Sequence, residues 1–148
     1  MGNRTFYNEI LTEHNLYPEN RKEVENANIK LNGVNPNCGD DITLELRVND
    51  DGIIEDAGFT GDGCAISQAS ADMMLDLIIG EKKETALELA DIFIRMIKSD
   101  ATPEEKERLM DAVSLEDISH MPARVKCAEL GWRTLQEMLE DGKTHEKG

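Results

Sequence analysis

The chain predicts an α+β fold, a three-stranded antiparallel β-meander packed on one face by helices. Three observations carry that expectation. Residues 27–34, 42–48 and 53–60 alternate apolar and polar side chains with period two, and Asn49-Asp50-Asp51-Gly52 makes a hairpin turn between the last two runs. From Cys64 onward the apolar spacing changes to the three-and-four rhythm of helices. A glycine-rich turn, Gly61-Asp62-Gly63, separates the two regimes.

The N-terminal arm, residues 1–26, reads as a helix from Asn3 to His14 with Phe6, Tyr7, Ile10 and Leu11 on one side, stopping before Tyr17-Pro18. Asn20 to Asn26 is polar and reads as a loop, the whole arm docking weakly. His14 reads as a surface histidine near a helix end. The sheet follows over 27–60. Its first strand alternates Ile29 and Leu31 with Asn28 and Lys30; its second points Ile42, Leu44, Leu46 and Val48 inward. The third returns with Ile53, Ala57 and Phe59 on one face, and Glu55 breaks its pattern.

The helical part spans 64–140. Cys64 falls in the first turn of a helix that Asp62 would cap, and Gly80 stops that helix. Small residues at Ala65, Ser67, Ala69, Ser70 and Ala71 would let another backbone approach closely. Thr85 and Glu88 match a capping box, as do Thr102 and Glu105, the latter with proline at the first helical position. The second box starts a polar helix of about ten residues burying Leu109 and Met110; residues 100–117, rich in charge, read as a surface insertion. A last helix runs from Pro122 to about Leu139 on a stripe of Val125, Ala128, Trp132, Leu135 and Leu139, with Cys127 beside the stripe. Residues 141–148 read as a flexible polar tail.

A chain of 148 residues is expected to form one domain over 1–148. With 31 acidic against 16 basic residues and a net charge of −15, it offers no basic stripe for nucleic acid, and an anionic membrane is disfavoured by the same sign. No apolar run reaches transmembrane length and no leader is evident. Three free thiols, an odd number, fit a reducing, cytoplasmic setting.

Cys38 lies in the turn Asn35-Pro36-Asn37-Cys38-Gly39-Asp40 that opens the second strand, and Cys64 follows the turn that closes the third. Hairpin partners put those two points at the same end of the sheet. Cys38 and Asp40 flank a glycine, so a thiol and a carboxylate can turn toward one point. Arg124 and Lys126 flank Cys127, and their charge would lower its pKa. If Cys38, Asp40, Cys64 and Cys127 converge, three thiolates and a carboxylate suit tetrahedral Zn²⁺; the same set would also suit a small iron–sulfur cluster. Each residue alone has a plainer reading: a small buried cysteine, or a turn aspartate capping an amide.

The motifs Asn35-Pro36 with Cys38-Gly39-Asp40, Gly61-Asp62-Gly63-Cys64-Ala65-Ile66-Ser67 with Ala69-Ser70-Ala71, and Pro122-Ala123-Arg124-Val125-Lys126-Cys127 resemble the IscU/NifU-type family of iron–sulfur assembly proteins, specifically its SufU branch. The resemblance implies the α+β fold and implies Cys38, Asp40, Cys64 and Cys127 as the metal site. Lys126 stands where the scaffold branch carries a histidine, Met121 to Val125 replaces that branch's chaperone-read segment, and 100–117 resembles the SufU insertion. These departures imply a zinc-dependent acceptor that takes persulfide sulfur from a cysteine desulfurase through Cys38 and passes it to a downstream iron–sulfur assembly scaffold. Such a protein is a sulfurtransferase-like partner rather than a stand-alone catalyst. Arg124 is assigned a supporting place beside the metal ligands. The alternatives are a scaffold on which a cluster is built and released, and a non-catalytic domain with a structural zinc.

Overall fold

The structure, a computed structural model, describes the backbone of residues 7–140 and the side chains of residues 9–140. The expected start of the first helix at Asn3 and the expected tail 141–148 lie outside the described residues. A π-helical turn (Tyr7–Leu11) leads into α1 (Thr12–Leu16), then β1 (Ile29–Asn35), β2 (Asp40–Val48) and β3 (Ile54–Asp62). Helices α2 (Ala65–Ile78), α3 (Lys83–Ile97) and α4 (Pro103–Glu107), a 3₁₀ helix (Met110–His120) and α5 (Pro122–Glu140) complete the order.

The sheet is the expected antiparallel meander, ordered β1-β2-β3. Cross-strand pairs Ile29–Leu46, Leu31–Leu44, Leu44–Phe59 and Leu46–Ala57 put the apolar side chains on one face. Helices bury that face, and Phe59, Leu44, Leu46, Met74, Phe93 and Trp132 form the centre of the core. The pattern break at Glu55 is a bulge: Arg47 pairs with Asp56 but Val48 with Ile54, leaving Glu55 unmatched. The extra residue turns Ile54 inward rather than Ile53.

The small residues of α2 do let α5 come close. A side chain at Gly131 would already touch Ala71, and Ser70 donates to the Ala128 carbonyl at 2.7 Å while accepting from Trp132 Nε1 at 2.9 Å. Trp132 stacks on Phe93 with ring centroids 4.2 Å apart. Gly80 follows the end of α2 with φ +92°, as its C′ position requires.

Several expectations are corrected. The Thr85 capping box does not form: α3 starts at Lys83, capped at Lys82 without a side-chain bond, so Thr85 already lies inside the helix. Tertiary ties explain the earlier start, since Lys83 donates to Gly52 and Ile54 to Glu81, stitching the helix entry to the 49–52 turn. The Thr102–Glu105 box does form. Its helix is five residues long, however, and Met110 is 68% exposed with φ +52°, while Leu109 is buried. From Asn20 to Val24 the N-terminal arm is not weakly docked. Phe59 donates to the Asn20 carbonyl, Val24 donates to Glu45, and Asn20 and Val24 are both buried. Nor is His14 a surface residue: it is 7% exposed, wedged between Asp72 (2.6 Å) and Asp111 (3.1 Å).

Candidate metal centre

The site stands at the end of the sheet where β1 turns into β2 and β3 runs into α2. The turn needs residue 39 in the left-handed region, and Gly39 supplies φ +72°. Cys38 is thereby carried on a tight, half-exposed corner, its amide held by the Asn35 carbonyl at 3.2 Å. Asp40, the first residue of β2, is fully buried. Its Oδ1 accepts from the Cys64 amide (2.8 Å) and the Ser67 hydroxyl (3.1 Å), and its Oδ2 from Asn35 Nδ2 (3.3 Å).

Asp40 therefore anchors the backbone at the entry to α2, whereas Asp62, the expected cap, is almost fully exposed. Cys64 is the N-cap residue itself rather than a first-turn residue, and its Sγ accepts from the Ser67 amide at 3.4 Å. Gly63 leaves this room open: a Cβ there would push against Ser67 Oγ and crowd Asp40 Oδ1.

Cys127, in the first turns of α5, is fully buried and reaches the site from the other side. Its Sγ lies 2.9 Å from Cys38 Sγ, longer than a disulfide bond, and all three cysteines are free. Donor atoms of Cys38, Asp40 and Cys127 all lie within 4.8 Å of one another. Cys64 stands at the edge of this set, engaged with Ser67 yet near enough to influence the Cys127 thiol.

The pKa of Cys127 is raised, not lowered: burial acts first, and the thiols of Cys38 and Cys64 follow. Lys126, expected to lower it, is exposed to solvent, where its charge is screened. Arg124 does meet the site. Its guanidinium is held more firmly protonated by a hydrogen bond to Cys127 and by the charge of Cys64.

The family model for the NifU-like N-terminal domain matches residues 6–145. The chain belongs to that family. It is 40% identical over 144 residues to the zinc-dependent sulfurtransferase SufU of Bacillus subtilis strain 168, covering 97% of this chain and 93% of the relative. It is 39% identical over 135 residues to the iron–sulfur cluster assembly scaffold protein IscU of Streptococcus pyogenes serotype M1, covering 90% and 82% respectively. Among solved structures it resembles FiSufU of Fervidobacterium islandicum AW-1 with a TM-score of 0.84 at 34% identity, over 92% of this chain and 98% of that one. The three-stranded sheet with its helical cover is shared with that structure.

The donor set fits a soft or borderline cation. Thiolates with one carboxylate match the ligand chemistry of zinc, and no buried polar side-chain atom among the described residues is left without a partner that would argue for another occupant. The sequence missed two residues of the site. Asn35 was legible only as turn chemistry, and Ser67 only as a small helix residue; neither carries a ligand signal. No helix among the described residues is long and apolar enough to cross a membrane.

Proposed function

We propose that this protein works in iron–sulfur cluster assembly as a zinc-dependent sulfur acceptor. In this reading it takes persulfide sulfur from a cysteine desulfurase and passes it to a downstream assembly scaffold. The observation that carries the reading is the clustering of the Cys38, Asp40 and Cys127 donor atoms within 4.8 Å, with Cys38 alone on an accessible glycine corner. The 40% identity to a relative named as a zinc-dependent sulfurtransferase supports it.

Cys38, Asp40, Cys64 and Cys127 would hold the zinc. When bound, it supplies the positive charge that keeps the thiols deprotonated. Every remaining part belongs to the chain. Cys38 Sγ, as a thiolate, attacks the outer sulfur of the desulfurase persulfide. A new S–S bond forms at Cys38, the donor's own S–S bond breaks, and its cysteine leaves as a thiolate. Sulfur moves at the same oxidation level, so no external oxidant or reductant is required. The same exchange, repeated on a thiol of the scaffold, hands the sulfur on. Asp40, fixed by three hydrogen bonds, does not move with Cys38.

A turnover assay with a partner cysteine desulfurase tests this. The wild type is expected to stimulate sulfide release, and Cys38→Ala to return it to the desulfurase-alone rate while still folding. A wild type that neither binds nor stimulates the desulfurase overturns the reading.

The scaffold reading is favoured by the 39% identical relative named as a scaffold. Anaerobic purification separates the two. Colourless protein with stoichiometric zinc supports transfer, and a stable visible chromophore on reconstitution supports scaffolding.

A further inference from the structure

Asn35 is the one residue outside the donor set that touches most of it. It ends β1 directly opposite Asp40 in the strand register, and it is 5% exposed. Its side-chain Nδ2 lies 3.3 Å from Asp40 Oδ2 and 3.7 Å from Cys127 Sγ, and its backbone carbonyl accepts from the Cys38 amide at 3.2 Å. One residue thus reaches three of the four donor residues, two of them through a single NH₂ group. On its other side Asn35 lines a cavity of about 300 Å³ with Val34, Lys126, Leu130 and Arg133, so it forms the wall between the donors and that space.

We infer that Asn35 is a positioning residue for the metal: its amide fixes the Asp40 carboxylate and the Cys127 sulfur in the orientation that accepts a cation. The inference rests on the metal-binding part of the function proposed above. The chemistry favours asparagine at this point. Asp40 and Cys127 must both be anionic to bind a cation, and each gains from an N–H donor. A lysine or arginine would donate too, but its charge would repel the ion. A neutral amide with two N–H groups supports both anions without that penalty. It also divides the labour of the site. Asp40 and Cys127 are held by Asn35 side-chain contacts, whereas Asn35 reaches Cys38 only through the backbone; the Cys38 Sγ itself meets Cys127 Sγ at 2.9 Å and the Ala123 carbonyl at a long 3.9 Å.

The plainer role for Asn35 is turn formation ahead of Pro36, and the experiment separates the two. Zinc affinity is measured by chelator competition on the wild type and on Asn35→Leu, which keeps the volume and removes both donors. The melting temperature of each metal-free protein is recorded alongside. Loss of an outer-shell hydrogen bond weakens metal binding by about 10–100-fold. A drop of tenfold or more in Asn35→Leu supports the proposal. An affinity within twofold of wild type overturns it, whatever happens to the melting temperature. If Asn35→Leu does not fold, the same criterion is applied to Asn35→Ser, which keeps turn chemistry but is too short to span both acceptors. Wild type that binds no zinc would instead refute the zinc assignment itself, a different failure from unchanged affinity in the variant.

Discussion

At the scale of single residues, the site depends on how tightly Asp40 is enclosed. Its two oxygens take three donors, one from the end of β1 and two from the N-terminal end of α2, and Gly63 is the residue whose missing side chain leaves room for them. Gly63→Ala should therefore force Ser67 and Asp40 apart. The expected cost is about 1–3 kcal/mol in denaturant unfolding, together with zinc release at lower chelator concentration. Unchanged stability and unchanged zinc retention would mean that the Asp40 bonds are dispensable. The candidate ligands were legible because the chain has only three cysteines and because the family motifs around Cys38-Gly39-Asp40, Cys64 and Cys127 imply the set. Asn35 and Ser67 were not, because an amide and a hydroxyl have no signature until their partners, in other elements, are known.

At the scale of elements, two sequence-identical signals met different fates. Thr85-x-x-Glu88 and Thr102-x-x-Glu105 both match a capping box, and only the second forms. There the Thr102 hydroxyl accepts from the Glu105 amide at 3.2 Å and Glu105 returns the bond at 3.0 Å. Arg95 then holds the Glu105 carboxyl down to about 2. Thr102→Ala is expected to cost about 1 kcal/mol, whereas Thr85→Ala, inside α3, should be neutral or slightly stabilising. Chemical denaturation of the two variants checks the contrast, and equal losses would contradict it. Local motif strength could not decide this, because the start of α3 is set by its bonds to the 49–52 turn.

The N-terminal arm is the second element-scale case. Asp72 on α2 accepts from the Asn20 amide (2.9 Å) and from Asn20 Nδ2 (3.0 Å), and pairs with His14. The hydrogen bond to Asp72, helped by Asp111 and opposed by burial, raises the His14 pKa from 6.5 to about 9. Glu13, Glu19 and Asp76 line the same cavity and add to the negative surroundings. A raised pKa means the stabilisation is full below about pH 6.5 and fades as pH rises toward 9; the shift corresponds to at most about 3 kcal/mol. His14→Gln should flatten the loss of stability over that window. A variant that declines with pH as steeply as the wild type would show that His14 is not its source.

At the scale of the whole molecule, charge acts on folding more than on chemistry. With a net charge of −15 the folded chain repels itself, so its melting temperature should rise between low ionic strength and about 0.3 M salt, where screening reaches only a few ångströms. A fall in melting temperature would indicate that ion pairs such as Arg95–Glu105 and Lys106–Glu116 outweigh the net repulsion. The sequence by itself determined the strand order, the inward faces of the sheet apart from the Ile53/Ile54 bulge, the small-residue face of α2 and the family motifs that imply the four ligand residues. Those features follow from side-chain period, turn chemistry and residue size, which act between near neighbours or repeat along an element. Only the tertiary structure decided where α3 begins, that Cys64 rather than Asp62 caps α2, that Met110 faces solvent, and that His14 and Asn20 are buried against Asp72. The burial of His14 and Asn20 depends on a partner 58 and 52 positions away, and the rest on contacts between elements and on which groups water can still reach; no local pattern encodes either.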